Sequence, residues 1–310
     1  MPLRFTLRQL EYFVAVGEAG SITQASARVN VSSPSISAAI SQLEDEFGLP
    51  LFVRKHAHGL NLTQAGQQFL TSAKQVLAEA DALNRLADTI SGKVQGPLKI
   101  GCLLTFAQVL LPAIRRKFEQ DHPDSVVTQI EADQLDLIEK LRRAEIDVAL
   151  SYDLEIPPDL TFVPLRALPP YAMMPQDHPL AGKEAISVTD LLPYPMVLLD
   201  LPLSSAYFLS FFDTTGQQPQ IVERTRDMAV MRSLVANGYG FGLANIRPHN
   251  ELSPDGRKLS FVPLKGPVRP MRLGLILPEG SQNVLTITAF VDHTRQMISD
   301  WGYPGRAIKV

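Results

Sequence analysis

Apolar positions in the first ninety residues recur every three or four places, whereas beyond residue 97 they gather into short runs separated by helical stretches. Residues 6–18 carry Leu7, Leu10, Phe13, Val14 and Ala15 as a stripe near a 3.6 period, which predicts a helix with Thr6 as its N-cap. Gly17 and Gly20 punctuate its end, and Ser21 with Gln24 three residues on has capping-box spacing for a second, short helix over 22–29. Ala25 and Ala27 give that helix small side chains for close packing. Asn30-Val31-Ser32 then reads as a tight turn, with Ser33 as N-cap and Pro34 at the first helical position, where its missing N–H costs nothing. The third helix runs to about Phe47 with Ile36, Ala39, Ile40 and Leu43 on one face, and Gly48 ends it. Its other face carries Ser35, Ser37, Ala38, Ser41 and Gln42, small neutral groups able to approach another surface closely.

Two helices joined by so short a turn, over about 22–41, form the pattern that sets a recognition helix in the major groove of DNA. The same spacing also fits a three-helix bundle with no DNA role. Residues 51–63 add two short extended runs around a basic, glycine-containing tip, which is a wing. Arg54 and Lys55 on it would touch phosphates, supplying affinity and register but no sequence information. His56 and His58 are spaced i, i+2, but no third ligand lies nearby, so no metal is assigned.

From Gln64 to Ser91 one long helix is predicted. Phe69, Ala73, Val76, Ala80, Leu83, Ala87 and Ile90 fall at alternating four- and three-residue steps, an unbroken heptad seam. At about 1.5 Å per residue this helix is roughly 40 Å long. Such a seam asks for a partner helix, which a second copy of the chain would supply; the alternative is an amphipathic helix lying on its own domain.

Residues 91–97 read as a linker, and beyond it strands and helices alternate. Strands are expected at 98–103, 126–131 and 146–150, with helices at 106–119 and 133–143 between them. A second round has strands at 171–174, 195–199, 221–225 and 241–244, with helices at 189–192, 204–216 and 228–237. An extended run at 272–277 and a helix at 283–299 close the chain. Strand–helix–strand order with helices of this length argues a parallel sheet with right-handed crossovers.

Composition narrows the class. The 310 residues are 45% hydrophobic and 20% charged, ordinary for a globular protein and too apolar for a disordered one. No apolar run reaches membrane-spanning length, and the N-terminus lacks a signal-peptide pattern, so a cytoplasmic location is expected. The single cysteine, Cys102, excludes an intramolecular disulfide framework and reads as a core residue. The net charge of −3 does not by itself favour nucleic acid, so that claim rests on where the charges sit.

The chain resembles the LysR-type transcriptional regulators over essentially its whole length. The residues carrying the resemblance are Leu7-Arg8-Gln9-Leu10-Glu11-Tyr12-Phe13, Gly20-Ser21-Ile22-Thr23-Gln24-Ala25-Ser26, Ser32-Ser33-Pro34-Ser35-Ile36-Ser37 and Ile40-Ser41-Gln42-Leu43-Glu44. They continue with Gly48-Leu49-Pro50-Leu51-Phe52-Val53-Arg54, Leu62-Thr63-Gln64-Ala65-Gly66, Leu98-Lys99-Ile100-Gly101, Leu111-Pro112, His122-Pro123, Asp147-Val148-Ala149-Leu150 and Leu234-Val235-Ala236-Asn237-Gly238-Tyr239-Gly240.

The resemblance implies a winged helix-turn-helix over 1–63, a linker helix over 64–92 and an effector-binding domain over 93–310. That domain would comprise two α/β subdomains like those of periplasmic solute-binding proteins: subdomain I at about 97–165 and 266–303, subdomain II at about 166–265, with crossings near Leu165 and Lys265. It further implies a homodimer through the linker helix assembled into a homotetramer, double-stranded DNA as partner, and a small-molecule co-inducer with no bound cofactor. RNA polymerase is a further candidate partner. This chain has Ser33, Ala38 and Ala39 where the family often has glutamine or arginine, so long donors to base edges are missing. The DNA-reading set is therefore Ser32, Ser33, Pro34, Ser35, Ser37 and Ala38, with Arg54 and Lys55 on phosphates.

In two-subdomain binding folds the ligand sits at strand carboxyl ends and helix N-termini. The resemblance puts the hydroxyl of Thr105, after the first strand of the effector domain, and Gln134, after the second, in the effector cleft; Ser151 and Tyr152 follow the third strand. In the second subdomain Ser204 and Ser205 open a helix after Asp200, and Met228 and Phe241 are candidate apolar wall. Helix capping accounts equally well for Thr105, Ser204 and Ser205, and core packing for Met228 and Phe241. Asp200 would repel an anion, so it either accepts hydrogen bonds from a ligand or faces away. The effector expected from this set is a small organic acid or an aromatic metabolite.

A solute-binding protein or an enzyme on the same α/β fold is the main rival, and a ligand-free architectural DNA-binding protein the second. The wing and heptad seam argue against the first. The chain also has no Gly-x-Ser-x-Gly, no Gly-x-x-x-x-Gly-Lys and no His-Glu-x-x-His, so no enzyme is expected.

Overall fold

The computed structural model describes residues 4–55 and 59–300 and falls into two compact units. One covers the chain to Ser91 together with Arg142–Glu145, and the other covers Gly92–Leu141 and the chain from Ile146 on.

The first unit is built from α1 (Leu7–Ala19), α2 (Ile22–Val29), α3 (Ser33–Phe47), the two-stranded wing β1 (Phe52–Lys55) and β2 (Gly59–Leu62), and α4 (Gln64–Ser91). Local chemistry sets the helix starts. Thr6 and Gln9 make a reciprocal capping box at α1, and the Ser21 hydroxyl accepts from the Gln24 amide at α2. At α3 the N-cap is Ser32, one residue earlier than the sequence suggests: its hydroxyl accepts from the Ser35 amide, leaving Ser33 at the first helical position and Pro34 at the second. Both positions lack an intrahelical partner for the amide, so proline fits either.

The core of this unit joins Leu10, Phe13, Leu43, Leu51, Leu70 and Ala73, with Ala15, Val16, Ala25, Ile36 and Ile40 filling a second cluster between the first three helices. Glu44 fastens α3 to the wing by accepting the backbone amides of Leu51 (2.7 Å) and Phe52 (3.1 Å), and the Leu60 amide donates to the Gly20 carbonyl. Gly66 lets α4 lie against the wing, since a Cβ there would sit 2.1 Å from the Leu51 carbonyl oxygen.

The heptad seam divides. Ala73 is buried and Phe69 packs beside it in the head's own core, whereas Val76 and Leu83 are exposed. The free seam therefore begins at Val76, about two turns later than the periodicity alone suggests. The side chains of Ala87 and Ile90 lie outside the described residues.

The second unit contains β3 (Gly96–Leu103), α5 (Leu104–Ala107), α6 (Leu111–Asp121), β4 (Ser125–Ala132), α7 (Gln134–Arg142), β5 (Val148–Tyr152), β6 (Leu160–Leu168), β7 (Tyr171–Pro175), α8 (Val188–Leu191), β8 (Met196–Leu199) and α9 (Ser204–Ser210). These are followed by β9 (Ile221–Thr225), α10 (Met228–Ala236), β10 (Gly242–Ala244), β11 (Leu259–Pro263), β12 (Met271–Pro278) and α11 (Leu285–Asp300).

One sheet has the order β4-β3-β5-β12-β6. β3 pairs in parallel with β4 and β5, but β12 runs antiparallel to both its neighbours, so the sheet is mixed and not purely parallel. The returning strand β12 enters from the far subdomain, which reverses its direction. The other subdomain has strands β10-β7-β11 and the parallel pair β8-β9, joined through the bridge Met196↔Phe241. Its strands therefore lie in the order β9-β8-β10-β7-β11. The chain crosses between Leu168 and Tyr171 and again between Pro263 and Met271.

Two strands and two helix breaks depart from the sequence pattern. β6 contains Pro164 yet pairs along β12, with a register shift at Leu273/Gly274; it is an edge strand, where a missing donor is tolerated. β11 is the other unread edge strand. The helix expected over 106–119 breaks at Gln108–Leu110 because Pro112, near the start of α6, can neither donate an amide nor accommodate the carbonyl four residues back. The expected helix over 204–216 ends at Ser210 and gives way to a 3₁₀ turn at Asp213–Thr215.

Candidate nucleic-acid interface and ligand cleft

On α3 the groups opposite the core form a surface of small side chains. Ser32, Pro34, Ser35 and Ala38 are exposed and Ser33 and Ser37 half-buried, whereas Ala39 is buried and belongs to the core side. The Ser32 and Ser35 hydroxyls lie 2.8 Å apart and hydrogen-bond to each other. Gln42, a long amide on this face, accepts from Gln9 Nε2 at 2.9 Å and so is tied back to α1. What remains is hydroxyls that donate or accept and the apolar edges of Pro34 and Ala38, which suit close approach to a groove floor and thymine methyls. Arg54 and Lys55 occupy the second half of β1; their side chains, and His56 and His58 entirely, lie outside the described residues.

Between the two sheets of the second unit lies a cleft lined by Thr105, Tyr152, Leu199, Leu201, Ser204, Phe208, Met228, Ala244, Asn245 and Ile246. Its open volume is about 10 Å³, room for about one water molecule and no more. The cleft is closed.

Three buried polar atoms beside and on its wall have no hydrogen-bond partner: Thr105 Oγ1, Gln134 Oε1 and Ser151 Oγ. They stand at the carboxyl ends of the neighbouring parallel strands β3, β4 and β5. The Gln134 amide is oriented, because its Nε2 donates to the carbonyls of Tyr152 (3.2 Å) and Leu154 (2.5 Å). Its oxygen is thus presented as an acceptor. Leaving such groups unpaired costs on the order of 1–3 kcal/mol each. That cost is recovered only when something bonds to them.

On the opposite wall, the Ser204 amide donates to the Pro202 carbonyl at 2.8 Å around Leu203, which takes φ 64° and ψ −44°. This is a γ-turn of the strained hand, costing about 1–3 kcal/mol, at the edge of the cleft. Tyr207, on the same helix, donates to the Arg269 carbonyl in the crossing segment. Asn245 Nδ2 bonds both the Leu168 carbonyl (2.7 Å) and the Tyr207 hydroxyl (3.2 Å). Burial raises the Tyr207 hydroxyl to about 12, and the nearby Asp153 adds to the rise against the opposing pull of Asn245 and Arg269. The phenol stays protonated and remains a donor.

The structure places the remaining sequence candidates as follows. Ser151 and Tyr152 are the last residues of β5 and do not follow it. Gln134 and Ser151 are buried beside the lining and do not form it, and Ser205 is half-buried away from it. Phe241 is fully buried in the core. Asp200 pairs with Arg224 at 3.1 Å, outside the lining. Leu199, Leu201, Phe208, Ala244, Asn245 and Ile246 were not foreseen. Asn245 and Ile246 follow β10, so the rule that ligands meet strand carboxyl ends would have reached them.

A larger hollow of about 450 Å³ lies on the outer face of α10 between Ala229, Val230, Ser233, Leu234, Asn237, Tyr239 and Pro254. It is open and mostly apolar, with no converging buried polar groups. Cys102 is buried, and burial together with the charge of Glu131 pushes its thiol well up, so it stays a thiol in the core. Among the described residues no group of three or more His, Cys, Asp or Glu could hold a metal ion, and no helix is long and apolar enough to cross a membrane.

Comparison with known proteins yields two family matches. The model of the bacterial regulatory helix-turn-helix protein, lysR family, matches residues 7–67, and that of the LysR substrate binding domain matches residues 91–299. The Hca operon transcriptional activator HcaR of Escherichia coli is 32% identical over 76% of this chain and 80% of its own length. The solved structure of HinK, a LysR family transcriptional regulator from Pseudomonas aeruginosa, superposes with a TM-score of 0.64 at 32% identity, covering 95% of this chain and 99% of that one. CbnR complexed with its target DNA shares the fold at 23% identity and a TM-score of 0.67, covering 94% and 99%.

Proposed function

The chain belongs to the LysR family of transcriptional regulators, effector-responsive proteins that bind DNA, and we propose that its effector occupies the cleft between the two sheets of the second unit. The observation that carries this reading is the set of buried, unpartnered atoms on Thr105, Gln134 and Ser151 at three adjacent strand ends. A ligand there meets the Thr105 hydroxyl on one side and Leu199, Leu201, Phe208, Met228 and Ile246 on the other, and it reaches the Gln134 acceptor and the Ser151 hydroxyl, buried beside the lining, only as the cleft opens. That combination suits a small organic acid or aromatic metabolite carrying a hydrogen-bond donor.

In this reading DNA is held by α3 through Ser32, Ser33, Pro34, Ser35, Ser37 and Ala38, with Arg54 and Lys55 on phosphates. The seam residues exposed on α4, Val76 and Leu83, pair with a second copy, and two such dimers make the tetramer. RNA polymerase is the further partner through which a bound regulator acts. The chain performs no catalysis.

A thermal-shift screen of small carboxylates and aromatics on the full-length protein identifies binders. Each is then retitrated against Ser204→Trp, which fills the cleft. Loss of binding in the variant supports the site, and undiminished binding overturns it. Gel-shift titration on the protein's own upstream region tests the DNA half, and the absence of any complex at low salt would overturn it.

A further inference from the structure

The closed cleft raises the question of what holds its two walls together. With about 10 Å³ of open space, no effector enters unless the subdomains part. The crossing segments, Leu168–Tyr171 and Pro263–Met271, lie beside β6, β12, β7 and β11, at one end of both sheets. β4 is the edge strand at the other end of the first sheet, and β9 the edge strand at the other end of the second. The loops leaving these two far edges meet: Arg226 Nη2, just after β9, lies 2.7 Å from Asp133 Oδ2, just after β4.

We propose that the Asp133–Arg226 ion pair is the latch of the cleft, placed opposite its hinge, and that it sets how often the empty cleft opens. The proposal rests on the reading of this cleft as the effector site. β4 stands three strand spacings from β12, a lever of about 14 Å, so a hinge rotation of about 20° separates the pair by about 5 Å more and breaks it. The bonds at the hinge end, from Asn245 to Leu168 and from Tyr207 to Arg269, lie near the rotation axis and barely change.

Neighbouring charges leave the pair to itself. Asp200 is held by Arg224. Asp227 is committed to capping α10 through the amides of Ala229 and Val230. Asp133 divides its carboxylate, with Oδ1 accepting from the Asp136 amide as a cap of α7 and Oδ2 facing Arg226. The latch residue is thus immobilised on one wall by the same helix that positions Gln134. Arg226 is 65% exposed on its side chain and Asp133 17%, so the latch is weak and open to screening. A regulator that must admit a small molecule needs a bond of that strength.

Amide hydrogen exchange on the full-length protein without ligand tests this. Asp133→Asn removes the charge but keeps the cap, because asparagine caps a helix as well as aspartate does. Arg226→Gln removes the other partner without touching a cap. Each variant should speed exchange of the peptides covering Thr105 and Ser204 by about 1.5- to 5-fold, the range of an exposed ion pair. The double variant should add nothing to either single one. Raising salt from roughly 0.05 to 0.5 M should bring the natural protein towards the variants while leaving them unchanged. Unchanged exchange in both single variants, or additive increases in the double one, would overturn the latch. Because no ligand is present, that result is independent of the Ser204→Trp titration, on which the effector reading itself stands or falls.

Discussion

Thr105→Val exchanges one hydroxyl for a methyl of nearly the same shape, at a position 5% exposed where the hydroxyl has no partner. A hydroxyl buried without a hydrogen bond costs about 1–3 kcal/mol, and the methyl that replaces it gains about 0.8 kcal/mol by burial. Part of the first term is lost to imperfect fit, so the net expectation is a stabilisation of the empty protein by about 1–2 kcal/mol. For a unit of this size each kcal/mol moves the melting temperature by about 2–4 °C. Calorimetry of the full-length protein without ligand should therefore place the second unit's transition about 2–8 °C higher than in the natural protein. Binding should move the other way. Loss of one neutral hydrogen bond, about 0.5–1.5 kcal/mol, weakens the effector by about 2- to 13-fold. A variant that melts lower by 1 kcal/mol or more (roughly 2–4 °C) would refute the reasoning, because the hydroxyl would then be contributing to the empty fold and not awaiting a ligand. An unchanged affinity for a cleft binder would refute the second half.

Gly66→Ala forces a Cβ to within 2.1 Å of the Leu51 carbonyl oxygen, backbone against backbone; the first unit should lose about 1–3 kcal/mol, and an unshifted denaturation midpoint would show that α4 is free to move off the wing. Arg54→Ala should weaken DNA binding uniformly across sequences and lower the salt slope by about one; a loss confined to one base position would contradict a phosphate role. Asp153 sets an acid limit. Burial pushes its carboxyl up, but hydrogen bonds from the Arg272 side chain and backbone and the charges of Arg269 and Arg272 outweigh this and hold it below the usual carboxylate range. Its stabilisation is therefore complete above the unfolded value of about 3.9 and is lost as pH falls below that towards the folded value. Asp153→Asn should flatten this part of the acid-unfolding curve, and an identical curve would refute the assignment.

The elements that sequence periodicity locates are those whose pattern is set by neighbours along the chain. Thr6 with Gln9 and Ser21 with Gln24 fix two helix starts from within one turn. The one-residue error at Ser32 is an ambiguity between two consecutive serines, Ser32 and Ser33, either of which can cap a helix. β6 and β11 escape because an edge strand is stabilised by a partner far away in the chain, and Pro164 is tolerated only because that edge faces no further strand. The candidate site is legible where a residue's place follows from its own strand or helix, as with Thr105, Tyr152 and Met228. Asp200 reads as a ligand contact only until Arg224, on the neighbouring strand, is seen to take its carboxylate.

By itself the sequence determined the order of parts: a capped three-helix head with a wing, a heptad helix, and an α/β domain with polar groups after its strands. Capping, periodicity and turn residues act within a few positions of one another, so the chain carries them in plain view. Tertiary structure alone decided three things. It placed Phe69 and Ala73 in the head's core and left Val76 and Leu83 of the seam exposed. It closed the cleft to the volume of about one water. It also brought Asp133 and Arg226 to 2.7 Å across the end of the cleft farthest from the crossings. Each depends on residues tens of positions apart being carried to one place by sheet order, and sheet order is settled by the packing of whole layers and not by any local pattern.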